Sequence, residues 1–390
     1  MKKLVINIML ILLLVTAIVP QIGCKGGTEE TEPAASESNR WLELLSVLPE
    51  NEDTLKSAYI QTDGYVDTLK EQLKSSQDAP AGALDYAELS VHRRLPLFES
   101  PSYTDQEWKE TVGFTVKDVS ESVVAGSGPP AYYQAVRGNF SKEDIENAAR
   151  TGPLNEYMEV ESYSGYEFYS WGEDFDIHMN WRSGVRRVGR GHRLAYVDGF
   201  ALWMLWTDGI KEMIDSYKGN IPSLADNEEY KLLAGALEDM GTVTAFFSSD
   251  SVSISEFKDM FRDNFEELRQ KGQEQQVTEF ENEPLLKPYL SFATGASEDE
   301  QGTYLVIVLA NPDKSTARAN VELLEQRINE SLMLPYIEGD RKWTDGGHIE
   351  SMEINSNGRL TMAKLYGPVY TNWDDFALIS GVYMPLLLHE

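Results

Sequence analysis

Residues 304–309 read Tyr-Leu-Val-Ile-Val-Leu, an apolar run broken only by the tyrosine hydroxyl. A strand that is apolar on both faces is typical of the interior of a sheet that is covered on both sides. An Asn-Pro-Asp turn follows at 311–313, and residues 316–332 then have the spacing of an amphipathic helix. The apolar positions of that helix are Val321, Leu324, Ile328 and Leu332. We therefore expect Val306 and Val308 to lie inside a sheet, with this helix packed on the sheet.

A short β-rich run, a turn with Asp, Gly or Asn, and an amphipathic helix recur along the chain. The runs are residues 57–62, 131–136, 244–248 and 303–309. Hairpins are expected after two of these units, at 157–171 and around the turn Asn357-Gly358. Strand, helix and hairpin together make the βαββ unit of ferredoxin-like sheets. The sequence therefore predicts an α+β fold, with antiparallel or mixed sheets covered by helices and built from repeated ferredoxin-like units.

Acidic residues outnumber basic ones by 64 to 34 among the 390 residues, so the net charge is −30. A field of that sign repels a polyphosphate, which excludes nucleic acid as the main partner. A hydrophobic fraction of 42% supports a folded core, and we expect a chain of this length to form two domains. The Gln-, Glu- and Lys-rich stretch 270–287 is the expected linker between a larger α+β domain at 40–269 and a smaller one at 288–390.

The first residues have the layout of an export signal. Lys2 and Lys3 precede an apolar run at 4–19, and Pro20 then ends any helix. The charged start stays on the cytoplasmic side while the apolar run enters the bilayer. This pattern predicts export from the cytoplasm.

The next four residues, Gln21-Ile22-Gly23-Cys24, resemble the lipobox of bacterial lipoproteins. In that family the cysteine is diacylated on sulfur, becomes the new N-terminus and holds the protein on a membrane. The resemblance implies a signal peptide at 1–23, lipidation of Cys24 and a flexible acidic tether at 24–39. Cys24 is also the only cysteine in the chain, so no internal disulfide competes for it. A secretory signal cut elsewhere and an uncleaved anchor helix are the alternatives.

The exported body carries no recognisable catalytic motif. Its strand, Gly/Asn turn and helix pattern, seen at 136–140, resembles only uncharacterised exported bacterial proteins and implies no activity. The five histidines lack the spacing of a zinc site, and carboxylate pairs arise by chance among 64 acids. We therefore predict no metal, no cofactor and no catalytic residue.

One segment differs from the rest of this acidic chain because it is basic and rich in tryptophan. Its arginines are Arg182, Arg186, Arg187, Arg190 and Arg193, and Trp171 and Trp181 lie close to them in sequence. Guanidinium groups this close repel one another, so an anion should lie nearby. That anion is either the protein's own Glu173, Asp174 and Asp176 or an external anionic glycan or protein partner.

These features predict a membrane-anchored extracytoplasmic lipoprotein. Its body is expected to be a non-catalytic binding or interaction module of unknown ligand. The alternatives are a glycan-active enzyme, which the aromatic and acidic content fits, and a transporter-associated solute-binding protein. The sequence shows no regular alternation of strands and helices of the kind that marks two doubly wound lobes.

Overall fold

The computed structural model describes residues 39–62, 105–126, 132–176, 191–251, 253–330, 349–367 and 384–390. The strands are β1 Ala58–Thr62, β2 Val119–Ala125, β3 Tyr133–Gly138, β4 Met158–Tyr163, β5 Tyr166–Trp171, β6 His192–Val197, β7 Phe200–Met204, β8 Thr244–Ser248, β9 Ser291–Asp299, β10 Gly302–Ala310, β11 Ser351–Asn357 and β12 Leu360–Tyr366. Within the described ranges they form one sheet of twelve strands in the order β11-β12-β10-β9-β8-β1-β2-β3-β7-β6-β5-β4. Every neighbouring pair is antiparallel. The chain is therefore α+β with an antiparallel sheet, as predicted.

Helices connect these strands and cover the sheet. They are α1 Arg40–Leu45, α2 Glu52–Lys56, α3 Asp105–Val112, α4 Lys142–Thr151, α5 Thr207–Tyr217, α6 Glu228–Asp239, α7 Ile254–Met260, α8 Arg262–Gln270, α9 Glu274–Glu281 and α10 Lys314–Glu330. Among the described residues, no helix combines the length and the apolar character needed to cross a membrane.

One face of the sheet, called the front face here, carries α1, α5 and α6. Trp41 of α1, Met213 of α5 and Leu233 of α6 are at most 1% exposed and share one core with the strands. Because side chains alternate along a strand, the strand residues in this core, such as Ile60 of β1 and Val306 of β10, are those that face the front helices. A single apolar layer therefore holds the front helices on the sheet.

The opposite face, called the back face, carries two separate apolar clusters. Leu324 and Ile328 of α10 pack in one of them, with Ile307 of β10. Ile145 of α4 packs in the other, with Leu194 of β6. The strands between these clusters have buried polar side chains on this face, which interrupt the apolar layer.

The prediction for residues 304–309 is confirmed. They lie in β10, which is hydrogen-bonded to β9 on one side and β12 on the other. Val306 and Val308 are both 0% exposed. The predicted helix at 316–332 is α10, and its apolar positions Leu324 and Ile328 are fully buried.

The repeated ferredoxin-like unit is not confirmed. In the C-terminal unit the predicted turn joins β11 to β12, and Gly358 in that turn has a φ of 57°. In the sheet, β12 lies between β10 and β11. In the unit that begins at β3, however, β7 and β6 lie between β3 and the hairpin β4–β5. The two units therefore place their hairpins differently in the sheet.

The sheet also continues across the expected linker at 270–287. β8 comes before this stretch and β9 after it, yet Phe246 of β8 pairs with Thr294 of β9. The stretch itself contains α9, and Phe280 of α9 packs with Phe257 of α7. The described residues on the two sides of this stretch therefore belong to one sheet, because strand pairing joins them directly.

Candidate functional site

Two of the residues predicted for an anion or glycan site, Trp171 and Arg193, lie within the described ranges. The remaining candidates lie outside the described residues: Trp181, Arg182, Arg186, Arg187, Arg190 and the predicted lipidation site Cys24. The described part of the region lies where β5 ends, β6 begins and α5 begins.

Arg193 is an internal cation. It follows the first residue of β6, is 4% exposed, and its Nη2 lies 2.7 Å from Oδ1 of Asp174. Its guanidinium also donates to the carbonyl of Gly172 at 3.1 Å and to Oγ1 of Thr207 at 3.0 Å. Burial lowers the pKa of Arg193, and the nearby carboxylate of Asp174 opposes that shift. Arg193 thus matches the internal alternative, in which the protein's own acid neutralises the arginine.

Asp174 also caps helix α5. Trp206 stands at the N-cap position and makes no side-chain capping bond. The Asp174 Oδ1 instead accepts hydrogen bonds from the backbone N–H and the hydroxyl of Thr207, both at 2.8 Å. A carboxylate at this end of a helix pairs with free N–H groups and with the positive end of the helix dipole. Asp174 therefore fixes the loop after β5 to both β6 and α5.

Trp171 is a core residue. It is 2% exposed and stacks on the ring of His192, with centroids 4.1 Å apart and ring planes 8° apart. Both rings lie on the back face, at paired positions of β5 and β6. Trp171 is therefore not available to stack on an external sugar in this structure.

The sequence reasoning missed Phe175. It is 47% exposed, among the most exposed large apolar side chains of the described residues, and its φ is 61°. A bulky residue in the left-handed region is strained. The backbone holds it there, because the N–H of Phe175 donates to the carbonyl of Leu205 at 3.1 Å and that of Asp176 to the carbonyl of Glu173 at 3.2 Å. The signal in the sequence was a phenylalanine inside the acidic turn Glu173-Asp174-Phe175-Asp176.

Phe175 belongs to a group of three rings that we call the aromatic corner: Phe175, Trp206 and Tyr133. Phe175 stacks on Trp206 with centroids 5.3 Å apart, and Tyr133 meets Trp206 edge to face at the same distance. The Tyr133 hydroxyl donates to Glu212 at 2.6 Å and accepts from Asn51 at 3.3 Å. Burial, together with the hydrogen bond to Glu212, raises the pKa of Tyr133 above its ordinary value.

The aromatic corner therefore presents one exposed ring, that of Phe175, because Tyr133 is 5% exposed and its hydroxyl is already bonded to Glu212 and Asn51. An exposed aromatic ring can bind the apolar face of a ligand by stacking. In the part of the chain that the structure describes, no group of three or more His, Cys, Asp or Glu side chains could hold a metal ion.

Comparisons with known proteins give little more. No family model matches the chain, and no curated protein matches it. The chain is similar to the solved "Structure of crystal form IV of TP0453" with a TM-score of 0.36 and 8% identity, over 88% of this chain and 99% of that chain. It is similar to "Structure of crystal form III of TP0453" with a TM-score of 0.34 and 8% identity, over 82% of this chain and 91% of that one.

Proposed function

We propose that this protein is an extracytoplasmic lipoprotein, held on a membrane through Cys24, whose body is a non-catalytic binding module. The N-terminal sequence supports the anchor, because a charged start, an apolar run and the residues Gln21-Ile22-Gly23-Cys24 follow one another in the order that lipoproteins use. A lipid on Cys24 would make the membrane the first partner of the protein.

The start of the folded body fits this arrangement. Asn39 is 4% exposed, caps α1 by accepting from the N–H of Leu42, and donates to the carbonyl of Ala234 at 3.1 Å. The body is thus fixed at Asn39, and the residues from Cys24 to this point could span about 50 Å when fully extended. A tether of that reach would let the body meet a ligand away from the lipid surface.

The anchor is tested by Cys24→Ala in the full chain expressed in a bacterium. We expect the wild type in the membrane fraction, with a mature mass that lacks residues 1–23 and carries lipid. Cys24→Ala should be released or stay unprocessed, while the tether control Ser36→Ala should behave as the wild type. Equal membrane fractionation and equal mass of Cys24→Ala and wild type would overturn the anchor.

Phe175 is the observation that carries the binding role. An exposed ring that is held at a φ of 61° costs free energy in the folded state, and a polar or small residue would avoid that cost. The backbone bonds on both sides of Phe175 and the stacked Trp206 hold the ring in place. We infer that the ring is kept on the surface because it contacts a ligand, and a glycan suits an exposed aromatic ring because the apolar face of a sugar stacks on it.

The binding role is tested by titrating the purified body with chitohexaose, a neutral glycan. Phe175→Gly removes the ring and the strain together, so it should melt no lower than the wild type and yet bind several-fold more weakly. Phe175→Tyr should retain binding, and Met260→Ala, at another exposed apolar residue, should leave it unchanged. Equal binding by wild type and Phe175→Gly, or no binding by the wild type, would reject a glycan at this ring.

A further inference from the structure

The back face of the sheet has a polar band between its two apolar clusters. The band consists of Gln61 on β1, Ser122 on β2 and Gln134 on β3, and each of these residues is at most 4% exposed. Gln61 of β1 pairs in register with Ser122 of β2. Gln134 of β3 pairs with Val124, which lies two residues after Ser122 on β2. The polar band therefore crosses the central strands of the sheet, where apolar side chains would be expected.

Gln61 is the centre of the polar band. Within the described residues, neither Oε1 nor Nε2 of its amide has a hydrogen-bond partner, although the residue is only 3% exposed. Its register neighbour on β8, Thr244, does not supply one, because the Thr244 hydroxyl donates to the carbonyl of Ile60 at 2.8 Å. A donor and an acceptor are thus buried together without partners, which is rare in folded proteins.

Two buried amides beside the sheet, those of Asn311 after β10 and Asn320 in α10, have hydrogen-bond partners. Asn311 and Asn320 are both 0% exposed, and Nδ2 of Asn320 donates to Oδ1 of Asn311 at 2.7 Å. Nδ2 of Asn311 in turn donates to the hydroxyl of Thr361, and Oδ1 of Asn320 accepts from the N–H of Lys287. Gln61 differs from these two asparagines, because both ends of its amide are without a partner in the described part of the chain.

A second unpaired group lies on the same face. Within the described ranges, Oγ1 of Thr294 has no hydrogen-bond partner, and the residue is 3% exposed. Thr294 pairs with Phe246 on β8, and Phe246 pairs with Tyr59 on β1, two residues before Gln61. Phe246 and Tyr59 belong to the apolar cluster under α10, so Thr294 lies within that cluster and outside the polar band.

The charges of the surroundings define the class of ligand. Among the described residues the buried arginines are Arg193 and Arg327, and both lie outside the polar band and near carboxylates of their own. An ionic ligand at Gln61 would lack a counter-charge in a desolvated place, which is costly. We propose that the polar band binds a small uncharged molecule that carries hydroxyl or amide groups, with the Gln61 amide as both donor and acceptor.

Native mass spectrometry of the purified full-length protein tests this site independently of the anchor and of Phe175. We expect a non-covalent adduct on the wild type, and we expect its occupancy to fall about tenfold in Gln61→Leu, the effect of losing about 1.4 kcal/mol. Thr294→Val is the matched control, because it is nearly isosteric and removes a buried hydroxyl that is unpaired among the described residues and lies outside the polar band, so it should keep the occupancy of the wild type.

Two results would overturn the proposal. A wild type that shows only its bare mass, both alone and with added N-acetyl-D-glucosamine, means that no uncharged ligand is held there. An equal adduct on wild type and Gln61→Leu means that the ligand lies elsewhere. If Gln61→Leu does not fold, Gln61→Met, which keeps the length of the side chain, decides between these outcomes. A crystal structure with an ordered water as the sole partner of Gln61 would also reject the site.

Discussion

The carboxylate of Asp174 lies 2.7 Å from the guanidinium of Arg193 and also accepts two hydrogen bonds from Thr207. One side chain therefore joins the end of β5, the start of β6 and the first turn of α5. Arg193, one of the arginines predicted to bind an anion, is buried and pairs with the protein's own Asp174. The same loop also carries the exposed ring of Phe175.

Asp174→Ala should destabilise the fold by about 1–3 kcal/mol, because it leaves Arg193 without its counter-charge and α5 without its cap. Urea denaturation measures this change. The control is Asp259→Ala, which breaks an exposed pair with Arg262 and should change stability by about 0.5 kcal/mol or less. Equal effects of the two substitutions would contradict the structural role of Asp174.

The last residues of the chain close two clusters. Leu386 and Leu388 are both 0% exposed. Leu386 packs in the back-face cluster under α10. Leu388 packs with Phe257, Phe265 and Phe280 of α7–α9, which we call the phenylalanine cluster. The carbonyl of Leu388 accepts from the N–H of Leu286, and that of His389 accepts from the N–H of Ile254. The C-terminus therefore ties α7 and the segment before β9 together.

Leu388→Ala should cost about 2–5 kcal/mol, since the lost side chain leaves a cavity inside the phenylalanine cluster. The midpoint of urea unfolding reports the loss, and fluorescence quenching of the aromatic residues tests whether the cluster opens. Glu390→Ala removes only the exposed ion pair with Lys287 and serves as the control. If Leu388→Ala is as stable as the control, Leu388 does not fill the interior of the phenylalanine cluster.

Local sequence signals predicted local structure well. The apolar run at 304–309 lies in a strand inside the sheet, and the predicted turn at Asn357-Gly358 joins β11 to β12. Such features depend on neighbouring residues, so the pattern of side chains is enough to predict them. The break between α7 and α8 falls at Phe261, whose ψ of 21° lies outside the helical region, and no proline or glycine marks it in the sequence.

Long-range pairing could not be predicted in the same way. Nothing local indicates that Phe246 pairs with Thr294 across the expected linker, because such pairing depends on which strand edges remain available. The site shows the same limit. The composition indicated where arginines and tryptophans concentrate, but the burial of Arg193 and Trp171 and the exposure of Phe175 depend on the folded sheet.

Acid should destabilise the protein through its capping carboxylates. Hydrogen bonds from the backbone N–H and the hydroxyl of Ser223, both at 2.8 Å, lower the pKa of Asp226 below its ordinary value of 3.8. Because the folded-state pKa is the lower one, the stabilisation is fully present above the unfolded-state pKa and is lost as the pH falls through the folded-state value. Urea midpoints at neutral pH and near pH 3 should therefore differ less for Asp226→Asn than for the wild type.

A matched control for the acid experiment is Glu300→Gln, at an exposed position next to the turn between β9 and β10. It should keep the pH dependence of the wild type. Identical pH dependence of Asp226→Asn and wild type would show that the hydrogen bonds from Ser223 to Asp226 do not contribute to acid sensitivity.

The arginines beyond the described residues are the last element to test. With Arg193 neutralised by Asp174, the cations left for an anionic glycan are those at 182–190, on a chain whose net charge is −30. Changing Arg186, Arg187 and Arg190 together to Ser should weaken retention on a heparin matrix and flatten its salt dependence, because fewer cations then contact the polyanion. The melting temperature should stay the same. Lower melting with unchanged retention would instead show that these arginines, like Arg193, neutralise the protein's own carboxylates.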